Sequence, residues 1–215
     1  VESGWDNTTE GVHTYTVTAT DAAGNAGSDS VTYTIDDTAP VIAVTGVSDG
    51  TTYYYDVSPV ITITELYLDT STITLDDQTF VSGTTVADEG THYLNVTATD
   101  KAGNTATENI VFTIDKSTPQ TSISIAGTLG NNGWYITDVT ITLTVSYSLS
   151  DATVVTYFNC TGLQDEYTEY SDPFIITTEG IYTFSYYSKD ITHNLTETIH
   201  SRTIKIDKTA PVISV

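Results

Sequence analysis

One segment occurs three times in this chain, and that repeat limits the fold more than any other feature. The copies are EGVHTYTVTATDAAGNAGSDSVTYTIDDTAPVIAV at 10–44, EGTHYLNVTATDKAGNTATENIVFTIDKSTPQTSI at 89–123 and EGIYTFSYYSKDITHNLTETIHSRTIKIDKTAPVISV at 179–215. Their leading glutamates, Glu10, Glu89 and Glu179, stand 79 and 90 residues apart. That is the length of a β-sandwich domain and too long for a solenoid turn.

Each copy reads as a β-hairpin. His13, Tyr15, Val17 and Ala19 alternate with Thr14, Thr16 and Thr18, and the matching inward sets are His92, Leu94, Val96 and Ala98, then Tyr182, Phe184, Tyr186 and Ser188. A period of two marks a strand with one buried face. The turns are Asp21-Ala-Ala-Gly24-Asn25 and Asp100-Lys-Ala-Gly103-Asn104, in which Asp binds the turn backbone and Gly accepts a positive φ. The third turn, Asp190-Ile-Thr-His193-Asn194, lacks the glycine, so Asn194 is expected to take the left-handed conformation. Val31, Tyr33 and Ile35 carry the first return strand, which ends in Asp and a Pro-containing linker at Pro40; Pro119 and Pro211 stand at the matching places.

Between the hairpins, Val60–Glu65 and Val139–Val145 predict strong strands. Ile73–Leu75, Thr84–Val86, Val154–Phe158 and Phe174–Thr177 predict weaker ones. Thr, Val, Ile and Tyr dominate, so almost no helix is expected. The fold class is all-β, as tandem immunoglobulin-like β-sandwich domains. Residues 1–38 read as the C-terminal hairpin of a partial domain, 39–117 and 118–209 as complete domains, and 210–215 as the start of the next. The parent chain is expected to continue at both ends.

The hairpin-and-linker pattern VTATDxAGN…TID(x)TAPVI resembles the Ig-like repeats of large bacterial and archaeal surface proteins, and TTVADEGTHYLNVTATDKAGN extends the likeness through the middle domain. The last domain, through NNGWYITDVTITLTV, YTEYSDPFIITTEGIYTFSYYSKD and IKIDKTAPV, is similar to a related type found beside glycosidases and in surface proteins. The resemblance implies an extracellular or cell-surface setting and no fixed ligand, because the fold hosts many functions.

Charge narrows the partners. With 28 Asp and Glu against 6 Lys and Arg, the net charge is −22. Nucleic acid and anionic lipid are disfavoured, and no apolar run is long enough to span a membrane. The acidity serves solubility or a salty habitat, or else binds Ca²⁺ through several oxygen ligands. For the second reading the candidates are Glu10, Asp36, Asp37, Asp100, Asp115 and Asp190. Across the first junction Glu10, Asp36 and Asp37 would meet Glu65, Asp69 and Asp100. Across the second, Asp88, Glu89 and Asp115 would meet Asp151 and Asp190. Lys116 and Lys208 in the linkers, and the lack of a DxDxDG loop, favour carboxylates that cap turns in solvent.

Catalysis finds no support. His13, His92, His193 and His200 fall into no Ser/His/Asp or HExxH arrangement. His13 and His92 occupy the position of Tyr182, which suggests a packing corner whose polar tip reaches backbone. The single cysteine, Cys160, allows neither an internal disulfide nor a zinc site, and a half-buried core position is expected for it. Asn7, Asn95, Asn159 and Asn194 begin N-glycosylation sequons; Asn95 faces outward and Asn194 sits on a turn. Tyr53–Tyr55 and Trp134-Tyr135 form either a sugar-stacking platform or strands sending alternate rings into the core.

The leading reading is a structural spacer or stalk, or an envelope-layer or filament component, partnered by other repeats of its own parent chain. The alternatives are an adhesin or carbohydrate-binding module, and an accessory region of a secreted glycosidase.

Overall fold

A computed structural model describes residues 9–214. Two compact units divide the chain, 1–115 and 116–215.

In the first unit β1 (Gly11–Thr20) and β2 (Ala26–Ile35) form a hairpin, in antiparallel register from Gly11 opposite Ile35 to Thr20 opposite Ala26. There follow β3 (Val41–Thr45), β4 (Thr51–Tyr53), β5 (Val60–Thr64), β6 (Leu68–Leu75), β7 (Gln78–Thr79), β8 (Gly90–Asp100) and β9 (Thr105–Ile114). β3 and β5 make one sheet, and β4-β9-β8-β6-β7 make the other. Between β3 and β4 the chain leaves one sheet for the other. It turns at Gly46, where φ is +85° and a Cβ would meet the Ser58 carbonyl oxygen at 2.4 Å, so only glycine fits. Leu94, Val96, Ile110, Phe112 and Ile114 of β8 and β9 pack with Ile42, Ile61 and Ile63 to form the core.

The second unit repeats the plan of β3–β9 with two further strands. It contains β10 (Gln120–Ala126), a 3₁₀ turn at Asn131–Gly133, β11 (Trp134–Tyr135), β12 (Val139–Ser146), β13 (Val154–Cys160), β14 (Gln164–Glu169), β15 (Phe174–Ile176), β16 (Gly180–Asp190), β17 (Leu195–Thr196) and β18 (His200–Ile206). Its sheets are β10-β12-β15 and β11-β18-β16-β13-β14, with β17 paired to β16. Phe158, Phe184, Tyr186, Ile141 and Ile204 fill the core. Cys160 is fully buried there rather than half-buried.

The period-two reading holds for the second and third hairpins: Leu94, Val96, Phe112, Phe184 and Ile204 are all within about 1% of complete burial. The first hairpin differs. Tyr15, Val17, Val31 and Tyr33 are 41–57% exposed, because no second sheet lies on their face among the described residues. Thr84–Val86 is not a strand; only Val86 forms a bridge, to Val57. β3, β7, β10 and β14 go beyond the expected set, while β4 and β11 take up the strand reading of Tyr53–Tyr55 and Trp134-Tyr135. β4 and β11 are two or three residues long and pair in parallel with β9 and β18. β14 is an edge strand exposed on nearly every residue, so it carries no alternation.

Repeat ends as the candidate functional site

The chemistry-bearing residues gather at the two ends of each hairpin. At the turn end, Asp100 Oδ1 accepts from the backbone N–H groups of Ala102, Gly103 and Asn104 at 2.7–2.9 Å, and Asn104 Nδ2 donates to Oδ2 at 2.8 Å. Burial pushes the Asp100 carboxyl up, but these hydrogen bonds outweigh it and hold the group below the usual carboxylate range. Asp21 repeats the arrangement with Ala23 and Asn25. In the third copy the His193 ring takes over the amide's role, with Nδ1 at 2.7 Å from Asp190 Oδ2, and Asn194 adopts φ 60°. Tyr147 Oη adds a further donor to Asp190 at 3.2 Å.

At the opposite end a ring and a glutamate define a corner. His13 Nε2 donates to the Thr9 carbonyl oxygen at 2.6 Å, and His92 Nε2 to that of Asp88 at 2.9 Å. Tyr182 Oη reaches the carbonyls of Thr178 and Glu179 at 3.2 and 3.0 Å. One strand position thus anchors the corner with either ring type. His92 Nδ1 also donates to Asp76 Oδ2 at 2.7 Å. Burial would lower the His92 pKa, but the hydrogen bonds to Asp76 and Asp88 prevail and raise it.

Glu10 and Glu179 each act on the linker that ends their repeat. Glu10 Oε1 accepts from Asp37 N–H at 3.2 Å and from the Thr38 hydroxyl. Glu179 Oε1 accepts from Lys208 N–H at 2.8 Å and Thr209 Oγ1 at 2.7 Å. These bonds, from Thr209 first and then Lys208, keep the Glu179 carboxyl below its ordinary range. Asp36 Oδ1 and Asp207 Oδ1 each receive the N–H of the residue two further on, Thr38 and Thr209. Sequence reasoning missed this clamp. Its signal was the recurrence of Asp-x-Thr or Asp-x-Ser at 36–38, 115–117 and 207–209 behind each glutamate.

Of the metal candidates, Glu10 and Asp36 line one cavity of about 420 Å³ together with Glu65. Asp37 follows Asp36 in the clamp, and Asp115 donates its N–H to the Tyr53 carbonyl oxygen at 2.9 Å. Asp100 and Asp190 each bind their own turn. Among the described residues no group of three or more His, Cys, Asp or Glu is arranged to hold a metal ion. Of the sequons, Asn95 lies half-buried on β8, Asn159 donates Nδ2 to the Asp165 carbonyl oxygen at 3.3 Å, Asn194 is exposed on its turn, and Asn7 lies outside the described residues.

The aromatics divide. Tyr53 packs against the core and accepts the Ser48 N–H at 2.8 Å, whereas Tyr55 is exposed. Tyr135 packs on the second core, and Trp134 lies under Lys205 Nζ at 6.0 Å. An aromatic cluster that sequence reading did not single out stands on the outer face of the second unit. Tyr157 and Tyr187 stack at 5.3 Å across β13 and β16, with Tyr167 edge-on to Tyr187 at 5.2 Å.

Comparison with known proteins agrees with this plan. Residues 4–89 match the family of bacterial Ig-like domains, group 3, a span that takes in the first hairpin, its linker and strands β3–β7. Families of this kind are typical extracellular modules and generally non-catalytic. No curated protein matches the chain. Among solved structures, the fibronectin(III)-like modules of Clostridium thermocellum CbhA align at 12% identity and a TM-score of 0.32, covering 77% of this chain and 94% of theirs. Dimeric latent PorU from Porphyromonas gingivalis aligns at 14% and 0.30, covering 85% and 22%. Extracellular cadherin domains 1–4 of protocadherin gamma B7 align at 12% and 0.33, covering 90% and 57%. At superposition scores this low, strand order and register within the chain itself are the ground for the fold. Among the described residues no helix is long and apolar enough to cross a membrane. The chain is an all-β run of immunoglobulin-like β-sandwich repeats, similar over residues 4–89 to bacterial Ig-like domains of group 3.

Proposed function

We propose that this chain is a non-enzymatic structural spacer of a longer cell-surface protein, with repeats bounded at 38, 117 and 209. The observation that carries the reading is the grip on the first linker. Glu10 holds Asp37 and Thr38 from the hairpin side, while Asn104 Nδ2 donates to the Asp36 carbonyl oxygen at 2.9 Å from the repeat that follows. A linker hydrogen-bonded from both sides transmits load instead of swinging freely, which suits a stalk and gives a catalyst nothing. Single-molecule pulling tests this. A spacer unfolds repeat by repeat at resolvable force, with the same force in Ca²⁺ and in chelator if the acidic residues serve as turn caps and solvated surface. Loss of the force peaks on chelation would make the Glu10, Asp36 and Glu65 cavity a Ca²⁺ site instead.

A second reading, a glycan-binding module, draws on the outward Tyr157, Tyr167 and Tyr187 cluster. The pair at the places of Tyr187 and Tyr157 in the first unit is, by contrast, Thr97 of β8 opposite Thr72 of β6. Cross-strand tyrosines also stabilise a sheet without any ligand. A neutral polysaccharide retained by the chain but not by its Tyr167→Ala variant would favour binding. N-linked glycan at the exposed Asn194 and at Asn95 would appear in intact mass from an archaeal or eukaryotic source.

A further inference from the structure

We infer that the outer face of the first unit carries a subsite for a neutral sugar, formed by Tyr93, Asp77 and Asn95. This goes beyond the spacer reading and stands whether or not the chain bears load.

The three residues line one cavity of about 510 Å³ together with Asp76 and Thr91, within the range of roughly 300–1,000 Å³ for small-ligand sites. Tyr93 and Asn95 are neighbours on the outward side of β8, and Asp77 lies in the turn between β6 and β7. Tyr93 is 53% exposed, Asp77 is exposed and Asn95 is half-buried. None of the three side chains has a hydrogen-bond partner among the described residues. The neighbouring groups hold them in place. Asp76 accepts the Tyr93 N–H at 2.9 Å and the His92 ring Nδ1 at 2.7 Å, and donates its own N–H to the Tyr93 carbonyl oxygen at 3.0 Å. Buried His92 and this exchange fix the turn against Tyr93, so the groups are placed before a ligand arrives.

The other repeats show that the fold does not require these residues. Counted from the glycine that opens each hairpin, Thr14 and Thr183 stand where Tyr93 does. In the second unit the Thr161 N–H donates to the Thr183 carbonyl oxygen as Asp76 does to Tyr93, so Gly162, at φ +83°, is the counterpart of Asp77. Glycine is the ordinary residue at such a turn position, yet Asp77 adopts φ 63° there. Packing accounts for neither the exposed ring nor the strained carboxylate, and a ligand accounts for both.

The groups define the ligand. A tyrosine face takes the C–H side of a sugar ring, Asp77 accepts from its hydroxyls, and Asn95 both donates and accepts. Beyond the cavity the same face stays uncharged. Thr74, Asn95 and Asn109 stand side by side across β6, β8 and β9, with Thr72, Thr97 and Thr107 in the next row. These hydroxyls and amides extend the contact for a chain of sugars and offer no charge to a cation. At a net charge of −22 the chain repels acidic polysaccharides, so the ligand is a neutral one.

The test is affinity electrophoresis of the full chain through native gels containing hydroxyethylcellulose, mixed-linkage β-glucan or galactomannan, beside gels containing alginate or chitosan. Tyr93→Thr and Asp77→Gly install the residues of the other repeats, and amide exchange in β8–β9 checks that each variant is folded. At least one neutral polymer is expected to retard the wild type, with an apparent affinity at least about fivefold weaker in each variant. Retardation by no neutral polymer, or by alginate or chitosan alone, would overturn the inference. So would retardation by a neutral polymer that both variants keep, since binding would then lie elsewhere, as on the Tyr157, Tyr167 and Tyr187 cluster. The pulling experiment reads the spacer function separately.

Discussion

Asn104 Nδ2 donates to the Asp100 carboxylate at 2.8 Å and to the Asp36 carbonyl oxygen, 68 residues away in the chain, at 2.9 Å. A residue that reads as turn punctuation therefore also fastens the preceding linker. Replacing it by alanine removes both bonds. The Asn104→Ala variant should lose about 0.5–1.5 kcal/mol of stability for each bond, and its 36–40 linker should be cut faster in limited proteolysis. Unchanged cleavage would show that the linker is held by Glu10 alone.

His92 makes the first unit sensitive to pH. Its pKa is raised on folding, so the stabilisation is fully present below its unfolded value of about 6.5 and is lost as pH rises through the folded value. Urea unfolding of the wild type should give a stability that falls as pH rises above about 6.5. His92→Tyr installs the ring found at Tyr182 and should flatten that limb. A limb that persists in the variant would place the titration elsewhere.

The same substitution at matching places should have opposite weight. Phe112 is 1% exposed inside a sandwich, and its counterpart Tyr33 is 41% exposed. Phe112→Ala should destabilise by about 3–5 kcal/mol, whereas Tyr33→Ala should stay within about 0.5 kcal/mol. Calorimetry of the two variants decides the matter, and equal losses would mean the first hairpin already has a covered face.

Glu197 anchors the irregular third hairpin. It is 5% exposed, and its carboxylate accepts the Ser188 N–H at 2.5 Å, the Thr121 N–H at 2.9 Å and the Thr121 hydroxyl. Glu197→Ala removes the acceptor of the Ser188 and Thr121 N–H groups, while the Thr121 hydroxyl keeps Ser188 Oγ at 2.6 Å, and should cost about 1–3 kcal/mol, with Glu197→Gln milder because it keeps an acceptor in place. Chemical denaturation of both variants checks the order. The reverse order would mean that the charge itself is unfavourable there.

The hairpins were legible in the sequence because their periodicity is local: His92, Leu94 and Val96 announce a buried face wherever their partners lie. The Glu10 and Glu179 clamps were not legible, since each joins groups about thirty residues apart and a glutamate beside a glycine also reads as solvated surface. β7 was hidden because a two-residue strand takes its pairing from β6, and β14 because an edge strand needs no apolar side. Glu197 escaped notice for another reason. The third hairpin pairs Gly180 with Ile206 where the second pairs Gly90 with Ile114, and the two extra residues break the ladder between β17 and β18. A carboxylate fills that break, and alternation alone cannot foresee it.

The spacer account is tested most directly by pulling the chain from its two ends in Ca²⁺ and then in chelator. It predicts two separate unfolding events, each releasing the contour of one repeat, roughly 280 and 320 Å from the 79- and 90-residue periods, at forces that chelation leaves unchanged. A single concerted event, or extension without resolvable force, would contradict it.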